Sequence, residues 1–187
     1  MIWWTSDQHY FHVNISKYCN RPFASVEEMN AEIVKRHNSV VKPNDTVINV
    51  GDFALGKPKD VSIIRAQLVG KQIFLRGSHD KWLNHASDIW KGTVEGQVIV
   101  ACHYAMRVWP QSHYGSWDVY GHSHGHLPPL GKQHDVGVDN NDFYPVSFEK
   151  LKEIMATRDD NPNLIKGDRH GRGNPQSETQ GAPQSAG

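Results

Sequence analysis

Short apolar runs that end in polar residues recur along the first two thirds of the chain. The runs at 2–6, 46–50, 72–75, 97–101 and 117–120 have the length of buried strands, and the second is rich in β-branched residues. Asp, His or Gly follows closely after each run. The pattern therefore predicts five strands that carry polar side chains at their carboxyl ends.

Helical signals separate these strands. Ser25 followed by Glu28 forms a capping box, and the apolar residues after it recur at helical spacing, so a helix over 26–40 is predicted. The remaining predicted elements are a helix over 59–68, a strand over 134–138 and a helix over 148–155 capped by Ser147. Alternating strands and helices in 187 residues favour one α/β domain.

The composition changes after residue 156. From 157 onward Asp, Asn, Gly, Pro, Gln and Ser dominate, and Leu164 and Ile165 are the only strongly apolar pair. Such a segment buries too little apolar surface to offset the entropy lost on ordering. The sequence predicts a domain over 1–156 and a flexible C-terminal tail over 157–187.

Composition narrows the classes of function. Lys plus Arg and Asp plus Glu both number 20, so no net basic field attracts a long nucleic acid, and a small phosphorylated or nucleotide substrate is expected. No apolar run approaches the roughly 20 residues needed to cross a bilayer, and the N-terminus does not resemble a secretory signal. The chain has two cysteines, which are more consistent with reduced thiols than with a disulfide. We expect a cytoplasmic protein without a membrane segment, and no sequence feature indicates an oligomeric state.

Twelve histidines are many for this length, and several follow the predicted strands. The strand ends carry Asp7, His9, Asp52, Ser78, His79, His103, His122 and His124. Ligands of open α/β sheets collect at such ends. Carboxylates and imidazoles bind divalent metal ions, and a metal pair supports phosphate-ester hydrolysis. Each short motif alone is common, but the ordered set predicts a metal site.

The set also resembles a known superfamily. Asp7-Gln8-His9, Gly51-Asp52, Gly77-Ser78-His79-Asp80, His103 and Gly121-His122-Ser123-His124 resemble the calcineurin-like metallophosphoesterases, whose pattern runs D-x-H, GD, GNH(D/E), H, GHxH. The match covers residues 2 to about 155. Segments such as YCNRPFASVEEMN and DVGVD are similar to a small bacterial and phage branch. The resemblance implies an α/β fold, a sandwich of β-sheets flanked by helices, and phosphoesterase activity.

The resemblance also implies roles for these residues. Asp7, His9 and His124 would hold one metal ion, Asp52 would bridge to a second, and His103 and His122 would complete that second site. A water between the ions would attack phosphorus in line, while His79, oriented by Asp80, would protonate the leaving oxygen. Manganese is the expected metal, with iron or zinc as alternatives.

Residue 78 departs from the superfamily pattern. Ser78 stands where the pattern has asparagine, whose side-chain oxygen binds the second metal ion. Serine is shorter, so direct coordination would require a backbone shift or an intervening water. A natural difference and a replacement that slows turnover are both open interpretations, and the intact remainder of the motif favours the replacement.

Candidate substrate contacts surround the motif. His12 and Asn14 follow the first ligand pair, Arg76 could bind a phosphate through two hydrogen bonds, and Tyr104 adjoins His103. Arg21 is a less specific candidate for binding a phosphate, with a surface ion pair as the alternative. Trp109 and Trp117 could stack on a base. His126 and His134 are expected either beside the ligands or exposed to solvent. Trp3 and Trp4 are expected in the core.

The predicted function is a metal-dependent phosphodiesterase acting on a small nucleotide-like substrate, with a cyclic nucleotide as one option. A catalytically weakened metal-binding scaffold is an alternative supported by Ser78. A phosphomonoesterase or a nuclease is a further alternative, although a nuclease would be expected to carry a basic groove.

Overall fold

The computed structural model describes residues 1–165, whose eight strands form two four-stranded sheets. In the first sheet, β1 (Ile2–Thr5), β2 (Thr46–Asn49) and β3 (Lys71–Phe74) are parallel, and β8 (Val146–Ser147) pairs antiparallel with β1. The second sheet contains β4 (Ile89–Val94), β5 (Gln97–Cys102), β6 (Trp117–Tyr120) and β7 (Gln133–Asp135). Its strands are parallel except for the β4–β5 hairpin.

Within the described residues, four α-helices flank the sheets. They are α1 (Ile15–Tyr18), α2 (Val26–Val40), α3 (Pro58–Gln67) and α4 (Phe148–Ala156), and 3₁₀ turns cover Ser112–Tyr114 and Val138–Asn140. Both predicted caps are confirmed, because the hydroxyls of Ser25 and Ser147 each accept a hydrogen bond of 3.1 Å from the backbone three residues later. None of the helices in 1–165 is long and apolar enough to span a bilayer.

The main core lies where both sheets meet α4. Trp4 from β1, Ile48 from β2, Ile99 from β5 and Leu151 from α4 are fully buried in one apolar cluster. A second cluster joins α2 and α3 to the loops that follow β1 and β2. The predicted fold class, an α/β sandwich of β-sheets flanked by helices, is confirmed.

The sheets join at the edge that carries the candidate ligands. The backbone N–H of Ser6 donates to Val136, and the N–H of Val138 donates back to Ser6, both at 3.1 Å. The N–H of Asp7 donates to Gly51 at 3.1 Å, so the loop after β1 is tied to the loop after β2. Residues far apart in sequence are therefore held at one rigid edge.

The sequence patterns miss β4 and β8 and place the end of the packed chain too early. Asn161, beyond the predicted boundary, is 3% exposed, and its amide donates to the carbonyls of Ser112 and Ser116 at 2.9 Å. The packed chain therefore continues past residue 156. The remainder of the predicted tail, 166–187, lies outside the described residues.

Candidate metal centre

The structure brings the predicted ligands of five strand ends together. Their potential ligand atoms form three overlapping groups, each within 4.8 Å: Asp7, His9 and His124; His9, Asp52 and His79; and Asp52, His103 and His122. The first and third groups are connected through the middle one. Asp52 and His9 therefore lie at the centre of a continuous cluster of carboxylates and imidazoles.

Asp52 faces imidazoles from separate loops. Its Oδ2 lies 3.3 Å from Nε2 of His103, 3.7 Å from Nε2 of His9 and 4.0 Å from Nε2 of His79. Its Oδ1 accepts a 2.8 Å hydrogen bond from the backbone of His79. Burial alone raises the pKa of Asp52, but these hydrogen bonds and the nearby histidines together lower it below its usual range. Asp52 is therefore a carboxylate near neutral pH.

Asp7 is completely buried at the other side of the cluster. It accepts hydrogen bonds from the Ser6 hydroxyl at 2.6 Å and from the backbone N–H of His122 at 2.9 Å. Burial raises the pKa of Asp7 to about 6, although nearby histidines and the Ser6 hydrogen bond act in the opposite direction. A cation at this position would favour the charged carboxylate.

Several buried imidazole nitrogens have no hydrogen-bond partner among residues 1–165. Both ring nitrogens of His9 and Nε2 of His103 are in this state. Nδ1 of His103 lies 3.0 Å from the carbonyl of Val50, which fixes a proton on Nδ1 and leaves Nε2 to face Asp52. Buried polar atoms without partners are costly, and a divalent cation would satisfy these nitrogens together with the adjacent carboxylates. The donor set therefore fits a divalent metal site.

A proton competes with a metal ion at His103. Burial lowers the pKa of this imidazole, but Asp52 and Asp7 outweigh burial and raise it above its usual value. By contrast, burial lowers the pKa of His9 to about 3, so His9 remains neutral and able to coordinate a metal. Metal binding would displace the proton from His103, which makes affinity depend on pH.

The backbone at the ligands adopts an uncommon conformation. Asp7, His9, Asp52, His122 and His124 all have positive φ, between 47° and 66°. Left-handed backbone costs a residue other than glycine on the order of 1 kcal/mol, and such residues cluster at functional sites. The fold tolerates this strain, and in this conformation the five side chains point toward one another.

Two motif glycines are required because the loops approach closely. A Cβ on Gly77 would collide with the backbone nitrogen and Oδ1 of Asp52. A Cβ on Gly121 would collide with the Ser6 hydroxyl and come within 2.5 Å of Asp7 Oδ2. These glycines therefore let the loops after β3 and β6 contact the carboxylates.

The structure corrects the interpretation of Asp80. Its carboxylate is buried and accepts hydrogen bonds from the backbones of Phe53, Ala54 and Gly77 and from the indole of Trp82, at 2.9 to 3.1 Å. The prediction that Asp80 orients the imidazole of His79 is wrong, because both oxygens are directed at these donors. Asp80 instead links the loop after β2 to the loop after β3.

Sequence reasoning missed a buried support for His124. Nδ1 of His124 lies 2.6 Å from Oδ2 of Asp139, and the guanidinium of Arg21 contacts both oxygens of Asp139 at 2.7 and 2.8 Å. The prediction that Arg21 binds a phosphate and the alternative of a surface ion pair are both wrong, since the residue is only 6% exposed and its guanidinium donates to Asp139 and to backbone carbonyls. The only sequence signals were the family-like segments containing these residues, which carry no assigned role.

A cleft of about 350 Å³ opens over the cluster. His12 and Tyr18 line it together with His79 and His126. Tyr104 lies on the other side of the ligands, with its ring centroid 4.7 Å from that of His122. The cleft thus presents partly exposed histidines and has aromatic side chains near it.

The other predicted contacts lie elsewhere. Asn14 is exposed at the start of α1, and Arg76 is exposed with its Nε 3.9 Å from the carboxylate of Asp88. Neither lines the described cleft, so their contact with substrate stays a prediction. Trp109 is 3% exposed and cannot stack on a base, which corrects that expectation.

Two further aromatic residues also pack inward. Trp117 stacks on Phe148 at 6.0 Å beside the core, rather than lying free to stack on a base. His134 is buried, and its Nε2 lies 3.1 Å from Oδ1 of Asn141. The sequence shows only that these residues are polar or amphipathic. Their burial depends on the residues that pack against them in the fold.

Fold and site together define an α/β sandwich protein with a candidate metal centre. A scan against models of known protein families finds no match. The sequence is 33% identical over 167 residues to the uncharacterized protein MJ1445 of Methanocaldococcus jannaschii, an alignment that covers 82% of this chain and 90% of that relative. The chain belongs to the same protein family as MJ1445.

The fold is shared with a solved structure, and others superpose less closely. A protein of unknown function, AQ665 from Aquifex aeolicus, superposes with a TM-score of 0.65 at 21% identity, covering 82% of this chain and 98% of that one. A single mutant of Vps29 from Entamoeba histolytica superposes with a TM-score of 0.45 at 15% identity, covering 73% of this chain and 72% of that one. A predicted phosphoesterase from Streptococcus pneumoniae superposes with a TM-score of 0.40 at 17% identity, covering 73% of this chain and 70% of that one. The functional assignment depends on the residues of this chain.

Proposed function

We propose that the chain is a phosphoester hydrolase of the calcineurin-like metallophosphoesterase superfamily that uses two divalent metal ions. The observation that carries the proposal is Asp52 Oδ2, which lies between Nε2 of His103 at 3.3 Å and Nε2 of His9 at 3.7 Å. A single carboxylate shared by two groups of imidazoles is the arrangement expected of a ligand that bridges two cations.

In this proposal Asp7, His9 and His124 would hold the first ion, His103 and His122 would hold the second, and Asp52 would contribute to both sites. Bound there, two divalent ions would supply a hydroxide nucleophile at neutral pH and would stabilise negative charge on the phosphoryl oxygens. Manganese is the proposed metal, because a mixed imidazole and carboxylate site accepts it, as it does iron and zinc.

His79 is the proposed general acid. Its side chain is 38% exposed, lines the cleft and has Nε2 4.0 Å from the Asp52 carboxylate. An imidazole in this position reaches both the solvent and an ester bound over the metal ligands. It would donate a proton from a ring nitrogen to the departing oxygen.

The proposed substrate is a small phosphodiester carrying a nucleobase or similar aromatic group. Tyr18 is 72% exposed with its ring 6.0 Å from that of His12, and Tyr104 is 49% exposed beside His122. Exposed tyrosine faces near a phosphate site are suited to stacking against a base. The cleft of about 350 Å³ and the balanced charge of the chain also favour a small substrate.

Hydrolysis of bis-p-nitrophenyl phosphate and p-nitrophenyl phosphate tests the proposal. We expect manganese-dependent release of p-nitrophenol, faster from the diester, and its loss on treatment with EDTA. Faster hydrolysis of the monoester would replace the diesterase assignment with a monoesterase. If neither wild type nor Ser78→Asn shows metal-dependent turnover, the hydrolase proposal is rejected and a metal-binding scaffold remains.

We expect Ser78→Asn to raise diesterase activity about tenfold or more. The Ser78 hydroxyl lies 3.1 Å and 3.3 Å from the two oxygens of Asp52, so residue 78 is next to the proposed bridging ligand. The longer asparagine side chain would bring a carbonyl oxygen toward the proposed second ion, and an added oxygen ligand would strengthen metal binding there. Initial rates measured across a manganese titration test this, with the exposed Ser87→Asn as the control. Equal kinetics and metal affinity in wild type and Ser78→Asn would contradict it.

A further inference from the structure

Arg21 and Asp139 form a buried ion pair directly behind a proposed metal ligand. The Arg21 side chain is fully buried, and its guanidinium donates to Asp139 Oδ1 at 2.7 Å and Oδ2 at 2.8 Å. The same guanidinium donates to the backbone carbonyls of Asp7 at 2.6 Å and Gln8 at 2.9 Å. Arg21 therefore links the loop that carries Asp7 to the turn that carries Asp139.

Asp139 in turn contacts His124. Its Oδ2 lies 2.6 Å from His124 Nδ1, a distance typical of a strong hydrogen bond to a charged acceptor. An ionised carboxylate only accepts hydrogen bonds, so Nδ1 must carry the proton. The lone pair of a neutral His124 is then on Nε2.

We propose that Asp139 and Arg21 are positioning residues that fix the tautomer and ring orientation of His124 for metal binding. The inference rests on the proposed function, because it assigns a purpose to His124 as a metal ligand. A carboxylate behind a ligating imidazole fixes the tautomer and makes the other nitrogen a stronger donor. Arg21 holds that carboxylate in place and connects it to the loop of the other ligands, Asp7 and His9.

The Arg21–Asp139 ion pair does more than neutralise a buried arginine. Arg21 and Asp139 are 118 positions apart, and their contact joins the segment between α1 and α2 to the 3₁₀ turn Val138–Asn140. A buried arginine could have been neutralised by any nearby carboxylate. Here the carboxylate of Asp139 also contacts His124, a proposed ligand. The remaining guanidinium donors of Arg21 bind the backbone at Asp7.

The tautomer can be measured on the metal-free, full-length protein. In wild type, long-range ¹H–¹⁵N spectra of the histidine rings are expected to show His124 protonated at Nδ1, with a downfield Nδ1 proton. In Asp139→Asn the share of this tautomer should fall, because the neutral amide is a weaker acceptor. Asp142→Asn removes an exposed carboxylate three residues away and is the matched control. Finding His124 protonated only at Nε2 in wild type would overturn the inference, whether or not the variant folds.

Metal binding provides the second readout. Manganese titration followed by EPR should show affinity at the first site lowered 10- to 100-fold in Asp139→Asn and less in Arg21→Lys, with Asp142→Asn unchanged. Two ions bound by both wild type and Asp139→Asn with equal affinity would overturn the inference and leave the proposed function standing. Wild type that binds no ions would refute the proposed function, and the tautomer measurement would still decide whether Asp139 orients His124.

Discussion

Asp52→Asn is expected to lower manganese-dependent diester hydrolysis by about 10⁴- to 10⁶-fold, the scale seen when one essential member of a catalytic unit is lost. Asparagine preserves the size of the side chain and can still accept the hydrogen bond from the backbone of His79. It lacks the negative charge that is proposed to bind two cations. Because Asp52 belongs to two of the candidate ligand groups, one substitution weakens both metal sites.

The matched control is Glu153→Gln, which makes the same carboxylate-to-amide change on the exposed surface of α4. Rates under saturating manganese and metal content after gel filtration should be measured for both variants. Glu153→Gln should behave as wild type. Asp52→Asn that retained activity within tenfold of wild type, with two ions bound, would show that Asp52 is not the bridging ligand.

His79→Ala is expected to have an effect that grows with the basicity of the leaving group. Proton donation contributes about 10²- to 10⁴-fold when the departing oxygen needs a proton, and little when it leaves as a stable phenolate. In a series of aryl phosphodiesters, the loss should be less than about tenfold for the most acidic phenol and largest for the least acidic. His79 is proposed for this role because its partly exposed ring lines the cleft.

His85→Ala is the control, because His85 is an exposed histidine in the same loop. A plot of log kcat/KM against leaving-group pKa should become steeper only in the His79 variant. An identical proportional loss for every ester would exclude proton donation by His79 and indicate a role in binding instead.

Local signals were sufficient to predict most of the elements. The strand over 46–50 and the helix over 26–40 follow from a β-branched run and a capping box, and both are present as β2 and α2. Parallel strands place their carboxyl ends at one edge, so the convergence of Asp7 and Asp52 could be expected from the order of elements alone. The strand β4 was missed because it is an edge strand with Lys91, Gly92 and Thr93 in its middle, which weakens the apolar alternation.

The contacts around the ligands could not be predicted in this way. Arg21 and Asp139 meet across 118 positions, and no local pattern states which buried arginine pairs with which carboxylate. Asp80 follows His79 directly, which suggested a contact, but the turn directs its carboxylate to the backbones of Phe53 and Ala54. Side-chain direction at a loop depends on backbone dihedral angles that the surrounding fold imposes.

A crystal structure of the protein soaked in manganese, with anomalous data collected at the manganese edge, tests the central claim most directly. We predict two anomalous peaks about 3.5 to 4 Å apart, the spacing of two-metal sites, on either side of the Asp52 carboxylate. One peak should contact His9 and His124, and the other His103 and His122. Full occupancy of a single peak, or peaks only at surface carboxylates, would contradict a dinuclear centre.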